Sequence, residues 1–252
     1  MLLTIITITF NAERFLERTL KSMPQDNQEL EYLIIDGGSS DGTLALINQY
    51  QNKISNWVSE PDKGIYDAMN KGLKLAKGQY VWFMNAGDQI FDNQTIDHVL
   101  EQIKLTNADV LYGDADLVDN NGQSLGLRSD FTTQRLPKQL TWQRFERGMV
   151  VCHQSFITKK SIAPPYILDH FYSADIDWEI NCLKAAQKTI NLNQPISKYL
   201  TGGFSIKNLR KSLWDRFIIL QKHFGFWPTL YNHFLILGRG IIKMVTSGKK
   251  YW

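Results

Sequence analysis

The chain opens on an almost unbroken apolar run, Leu2–Phe10, rich in Ile and Thr, which predicts a strand buried on both faces. Phe15, Leu16, Leu20 and Met23 then recur at helical spacing over Ala12–Met23, and Pro24 ends that helix. Tyr32–Asp36 reads as a second strand that runs into Gly37-Gly38-Ser39-Ser40-Asp41-Gly42, followed by a helix over Thr43–Tyr50. Ile54–Ser59 is the third strand. Pro61 and Gly64 precede a helix over Tyr66–Ala76, which Gly78 is expected to close in the left-handed conformation. Tyr80–Met84 is the fourth strand, ending at Asn85-Ala86-Gly87-Asp88. Short β–α alternation of this kind predicts an α/β fold, a Rossmann-like, mainly parallel sheet with helices on both faces. Such sheets bind ligands beyond the carboxyl ends of their strands, where this chain places small polar and acidic groups.

Beyond residue 108 the pattern is less regular. Asp109–Gly113 predicts a fifth strand, and Asp114, Asp116 and Asp119 with Asn120-Asn121-Gly122 suggest a solvated hairpin. Arg128–Gly148 has weak periodicity and many basic and aromatic residues, which predicts a mobile loop and places substrate specificity there. His153–Thr158 resumes a strand pattern. Ala174–Ala186 reads as a helix with Asp175 and Asp177 in its first turn, favourable for the helix dipole. In the tail, Leu209, Leu213, Phe217, Leu220 and Phe224 share helical spacing, as do Leu230, Phe234, Leu237, Ile241 and Val245. Two amphipathic helices broken near Gly225–Pro228 follow.

Composition sharpens this division. The 252 residues, 43% hydrophobic and 21% charged, exclude a disordered, collagenous or coiled-coil chain. Two cysteines without a CxxC pair build neither a disulfide framework nor a zinc site, and fit a reduced, cytoplasmic setting. No apolar run is long and uncharged enough for an integral membrane span. The net charge of +3 conceals an asymmetry. Residues 206–252 hold nine Lys or Arg against one acid, Asp215, a net of +8, so residues 1–205 carry −5. The chain is therefore divided into a body of residues 1–205, with halves of about 1–113 and 114–205, and a basic aromatic tail of 206–252. That tail either packs on the body or a second subunit, or lies on an anionic membrane with Trp214, Trp227, Tyr251 and Trp252 at the interface. Nucleic acid is a poorer partner, because its basic residues alternate with large apolar ones.

Candidate chemistry concentrates at the strand exits. Asp88 beside a glycine suits a hard divalent cation that also touches phosphate, or a turn cap. Asp36 suits a base N–H or ribose hydroxyl, or a cap on the Gly-Gly turn. One of Asp175 and Asp177 suits a general base while the other caps or orients, since two residues apart on a helix they point in different directions. His153 and Gln154 are acceptor-side candidates. GxGxxG and GxxxxGK[ST] are both missing, so a nucleotide would be held without the dinucleotide or P-loop fingerprints.

Thr4–Asn11 with Glu13, then Glu31–Thr43 (EYLIIDGGSSDGT), then Asn70–Asp88 (NKGLKLAKGQYVWFMNAGD) resembles the family 2 glycosyltransferases of GT-A fold, closely over Leu2–Asp88 and loosely over Val110–Leu183. The resemblance implies a nucleotide pocket of Thr9, Asn11, Glu13 and Asp36. Lys63, Asp67, Asn70 and Asn85 would line the donor, most simply a UDP-sugar, and Asp88 would bind Mn²⁺ or Mg²⁺. Asp175, in Ser173-Ala174-Asp175-Ile176-Asp177-Trp178, would be the base toward a glycan or polyprenyl-linked acceptor, with Asp177, His153 and Gln154 nearby. The sequence departs from the family at Asn85 and Gly87, where aspartates are common, at Ala174, and at Asn181, where an Arg is common. Asp36-Gly37-Gly38, Asp62–Asp67 and Thr201–Ser205 look like a subgroup that builds bacterial surface polysaccharides. The implied enzyme is an inverting glycosyltransferase, cytoplasmic or held on the inner face of the membrane, with self-association left open. A catalytically silent nucleotide-sugar-binding or scaffolding protein is the alternative. A nucleotidyltransferase would need a Gly-rich basic loop after the first strand, where Asn11-Ala12-Glu13 stands.

Overall fold

Strand β1 (Leu3–Thr9) is shielded from water along its whole length, as its apolar pattern requires. It pairs in parallel with β2 (Leu30–Asp36) and β4 (Tyr80–Phe83), and β3 (Asn56–Ser59) extends the parallel half beyond β2. The computed structural model describes residues 1–25, 27–132, 134–203 and 208–247, with the side chains of all but 237 and 240–247. Five further strands follow: β5 (Gln89–Ile90), β6 (Val110–Val118), β7 (Ser124–Leu127), β8 (Phe156–Lys159) and β9 (Thr189–Leu200). Among the described residues the order is β3-β2-β1-β4-β8-β6-β9-β5, with β7 on the flank of β6. Strand β8 runs antiparallel between β4 and β6, so it joins the parallel half to a mixed half in which β6 and β9 are again parallel.

Alternation along the strands sends side chains to two cores. On one face, α1 (Glu13–Ser22), α2 (Thr43–Gln49) and α4 (Thr95–Thr106) bury Leu16, Ile47 and Val99 against Ile5, Tyr32 and Trp82. On the other, α3 (Ile65–Leu75) and α6 (Ala174–Ala185) bury Met69 and Trp178 against Ile6, Ile35 and Phe83. A short α5 (Arg128–Phe131) and two C-terminal helices, α7 (Leu209–Phe224) and α8 (Phe226–Ser247), complete the set. Ile219 and Leu220 of α7 belong to the same core as Trp178. Each such buried aliphatic side chain contributes roughly 1.5–3 kcal/mol. Helix α7 is thus packed against the body. The expected apolar stripe of α8 reaches residues 237, 241 and 245, whose side chains lie outside the described set, as do Tyr251 and Trp252.

Several expectations need correction. Gly78 does not take a positive φ; α3 ends at Leu75, and Ala76 is extended. Glycine is required there because a Cβ would meet the Thr4 backbone nitrogen at 2.6 Å, where the chain presses against β1. Asp114 and Asp116 are not solvated hairpin residues. Both lie within β6, where Asp114 Oδ1 caps Ala115 N–H and buried Asp116 accepts from Ser124 Oγ. Segment 128–148 is not a loose loop either. Buried Arg128 donates to the Met149 and Val150 carbonyls, and Phe145 is fully enclosed in the Trp142–Arg147 turn.

Candidate active site

The register of the parallel half sets Thr9, Asp36 and Ser59 side by side at one sheet edge. Beyond it, residues 37–42 are tied down by the side chains expected to hold a nucleotide. The Asp36 carboxylate is fully buried and accepts from Gly38 N–H, Ser39 N–H, Ser39 Oγ and Ser59 Oγ. It therefore organises the Gly-Gly turn, the capping role that the sequence also allows, with three of these bonds on Oδ2 and one on Oδ1. Asn11, in the left-handed region at φ 46, accepts from Ser40 N–H, and Glu13 accepts from Gly42 N–H. A Cβ on Gly42 would fall 2.4 Å from the Glu13 carboxyl, so only glycine allows this clasp.

Thr9 is different. Its Oγ1 is buried and without a hydrogen-bond partner, as is Oδ1 of Asn85 at the exit of β4. Buried polar atoms of proteins are nearly always paired, so two orphans at one sheet edge mark a place where a ligand would supply the bonds. Between Thr9 and Asn11, the ring of Phe10 is 61% exposed. Sequence reasoning passed over it, although its position in the Thr-Phe-Asn turn is the signal.

Asp88 is buried at the same edge. Its Oδ1 accepts from Leu200 N–H at 2.9 Å, and Gln154, also buried, contributes a side-chain hydrogen bond. Burial pushes its carboxyl up to about 7, against the pull of those bonds. No group of three His, Cys, Asp or Glu side chains suited to a metal exists among the described residues. The oxygens present still fit a hard cation in one way. Mg²⁺-type sites use one or two protein carboxylates together with substrate phosphates and water, and Asp88 with the unpartnered Asn85 oxygen supplies that protein share.

The other wall is built by α3 and α6. Asp62 Oδ1 accepts from Gly64 N–H, and Asp67 Oδ2 accepts from Lys63 N–H, which leaves the Lys63 side chain exposed at the start of α3. The Asn70 amide makes two bonds to the backbone of Tyr166, which ties α3 to the segment before α6. In the first turn of α3, the Tyr66 hydroxyl donates to Asp175 Oδ1 at 3.2 Å. This bond brings α6 against the loop that follows β3. Ile176 N–H donates to the same Asp175 oxygen, so Oδ2 is left open. Burial raises the Asp175 carboxyl, and the charge of Arg216 on α7 opposes that rise.

Asp177 and His153, the acceptor-side candidates, both have partners inside the protein. Asp177 is 2% exposed and held by His223 Nε2 at 2.8 Å, Lys222 Nζ at 3.3 Å and Asn181 Nδ2 at 2.9 Å, so it anchors α7. His153 is buried between Glu179 Oε1 at 3.3 Å and the Tyr166 hydroxyl at 3.0 Å, stacked on Phe83. Glu179, one helical turn beyond Asp175, was missed as a partner because its mate lies 26 residues earlier. Its second oxygen is buried and unpaired, and burial pushes its carboxyl up to about 7.

Comparison with known proteins places this arrangement. The model of glycosyl transferase family 2 matches residues 4–163. The chain belongs to that family. An uncharacterized glycosyltransferase of Mycobacterium tuberculosis is 35% identical over 102 residues, 40% of this chain and 39% of that relative's length. A PGL/p-HBAD biosynthesis glycosyltransferase of Mycobacterium bovis is 29% identical over 187 residues, 71% of this chain and 68% of the relative. Among solved structures, S. aureus TarS 1–349 in complex with UDP-GlcNAc superposes with a TM-score of 0.67 at 18% identity, over 98% of this chain and 74% of TarS 1–349. The mannosyltransferase PcManGT of Pyrobaculum calidifontis, with GDP-Man and Mn²⁺, gives 0.64 at 14% identity, over 99% and 76%. The α/β body of this family 2 chain thus has the GT-A fold.

The two raised carboxyls have a measurable consequence. Asp88 and Glu179 hold protons near pH 7 in the folded chain but release them near 4 when unfolded. The folded state therefore binds more protons between those values, and stability falls as pH rises through 7. Without metal or nucleotide, the melting temperature is expected to drop by several degrees from pH 5 to pH 8. The double variant Asp88→Asn, Glu179→Gln should flatten that slope; an unchanged slope would show that neither group carries it.

Proposed function

We propose that the chain is an inverting glycosyltransferase that moves a sugar from a nucleoside diphosphate to the hydroxyl of a glycan or polyprenyl-linked acceptor. The observation that carries this reading is the Tyr66–Asp175 hydrogen bond, which sets a half-free carboxylate beside the loop that leads from the nucleotide edge. Asp175 Oδ2 takes the proton of the acceptor hydroxyl as that oxygen attacks the anomeric carbon. The bond from that carbon to the phosphate oxygen breaks, and the nucleoside diphosphate departs from the opposite face, which inverts the centre. Tyr66 orients the carboxylate through its other oxygen. Phe10 offers its open face to a base, Thr9 and Asn85 offer unpaired oxygens, and Lys63 neutralises charge on the departing phosphate. When bound, a divalent cation held by Asp88 and Asn85 would supply further neutralisation of that diphosphate. UDP-GlcNAc on TarS and GDP-Man with Mn²⁺ on PcManGT support this donor chemistry.

A panel of UDP-, GDP- and dTDP-sugars with Mn²⁺, read as nucleoside diphosphate released, tests the reading. Release from at least one donor is expected, and silence across the panel with intact nucleotide binding is the result of a silent scaffold.

A second part of the proposal concerns where the reaction takes place. Among the described residues no helix is long and apolar enough to cross a membrane. Helices α7 and α8 nevertheless expose Trp214, Trp227, Tyr231 and Phe234, the two tryptophans at 66% and 75%, with exposed Arg210, Lys211 and Arg239 on the same helices. The one acid of the tail, Asp215, is turned inward against His170 and the backbone of Tyr172 and Ser173. An aromatic and cationic surface of this kind suits an anionic bilayer, and hence a lipid-linked acceptor. The full chain should float with phosphatidylglycerol vesicles and not with phosphatidylcholine, and Trp214→Ala with Trp227→Ala should lose most of the flotation. Undiminished flotation of that variant, or self-association of the chain in place of flotation, removes the bilayer from the account.

A further inference from the structure

Arg216 on α7 carries a buried donor, Nε, that its packing does not match among the described residues. Every neighbouring polar group on that helix face is matched. Ser212 meets Ser173, Asp215 takes His170 and the N–H groups of Tyr172 and Ser173, and Lys222 and His223 meet Asp177. These bonds fix the helix against the start of α6, where Asp175 stands two residues beyond Ser173. Arg216, next to the Asp215 anchor, has a buried Nε without a hydrogen-bond partner. No carboxylate lies within ion-pair distance of it among the described residues, although its charge reaches Asp175.

A partly buried cation with an unmatched donor is costly unless something anionic arrives to meet it. Arginine presents a planar fork of donors that matches two oxygens of a phosphate at once. Its position decides which phosphate. In an in-line displacement the leaving diphosphate departs opposite the attacking hydroxyl, and the base stands on the attacking side. A cation beside Asp175 therefore faces the acceptor, while Lys63 and the edge carrying Asn85 and Asp88 face the donor.

We infer that Arg216 forms a phosphate-binding subsite on the acceptor side of the cleft, so that the acceptor carries a phosphate close to the hydroxyl that is glycosylated. The inference rests on Asp175 being the base only for the naming of sides; the subsite itself rests on the unmatched guanidinium. It gives α7 a share in the reaction, since a residue 41 positions after Asp175 completes the site. The charge of the same cation opposes the rise that burial imposes on the Asp175 carboxyl.

Calorimetric titration of inorganic phosphate into the UDP-saturated full chain tests this, with wild type, Arg216→Gln and Arg216→Lys compared. Wild type is expected to bind phosphate at millimolar concentration, Arg216→Gln to bind at least ten-fold more weakly, and Arg216→Lys to retain part of the affinity. UDP itself should bind all three alike, and their melting temperatures should agree within a few degrees. Equal phosphate affinity in Arg216→Gln, or no phosphate binding by wild type, overturns the subsite. A ten-fold loss of UDP affinity in Arg216→Gln assigns the cation to the donor and overturns the acceptor placement. Asp175→Asn keeps the two readings distinguishable: it should bind phosphate at least as tightly as wild type, because a nearby negative charge is gone, whatever its effect on turnover.

Discussion

Asp175→Asn is expected to lower turnover by on the order of 10²–10⁴-fold, the range of a lost general base, while donor binding measured by calorimetry stays within a factor of two or three. The substitution keeps the oxygen that receives the Tyr66 hydroxyl and Ile176 N–H, so the start of α6 should hold its place. What disappears is the capacity to take a proton. Because burial raises this carboxyl above the ordinary carboxylate range, wild-type turnover should fall on the acid side at a higher pH than a solvent-exposed aspartate would give. The variant should lose that limb. Equal losses in turnover and donor affinity would instead make Asp175 part of donor binding.

Asp88→Asn should abolish the metal-dependent component of donor binding. The expected loss is at least the roughly 10–100-fold that metal sites suffer when a mere supporting partner of a ligand is removed. Asparagine keeps an oxygen for Leu200 N–H, so the edge of β9 should stay attached. It also removes the buried carboxyl that burial pushes up to about 7, so the metal-free variant is expected to be no less stable than wild type above pH 7. The pair of readouts separates the roles: a loss of metal-dependent affinity with an intact melting temperature places the charge of Asp88 at the diphosphate. Normal donor affinity with Mn²⁺ present would return Asp88 to the turn-capping role that Asn-Ala-Gly-Asp also allows.

How much of this was legible in the sequence follows from how far apart the interacting parts lie. The first four strands and three helices announce themselves because each is a local period: Ile5 and Ile6 alternate between the cores, and Leu16 and Leu20 lie one turn apart. Strand β9 gives no such signal. It carries Asn191, Asn193 and Lys198, and is recognisable only through its pairing with β6 and β5. The 89–108 stretch, with β5 and α4, likewise escaped a reading fixed on strand exits. At the site, the motif order marks the segments that meet at the sheet edge, but not the bonds their side chains make within the protein. Asn11, Glu13 and Asp36 build the loop that a nucleotide would lie on, and Asn70 clamps Tyr166. A motif specifies a loop's shape and its ligand contacts in the same letters, and only geometry tells them apart. Asp177 shows the same limit. Its partners are 45 and 46 residues away on a helix that charge counting had set apart from the body.

That tail also changes meaning. Its net +8 suggested an appendage, yet its single acid is bonded to the segment just before α6, its His223 to Asp177 of α6, and Ile219 is part of the main core. Removing residues from 206 onward would take away buried contacts and Arg216 together, so point substitutions are the cleaner probe of this region.

The central claim is direct displacement at the anomeric carbon, with one base and no covalent sugar–enzyme intermediate. Proton NMR of the product's anomeric centre, formed with whichever donor the panel identifies, tests it most directly. The expected product has an anomeric configuration opposite to that of the donor sugar from the first turnover onward. A product that retains the donor's configuration would contradict it.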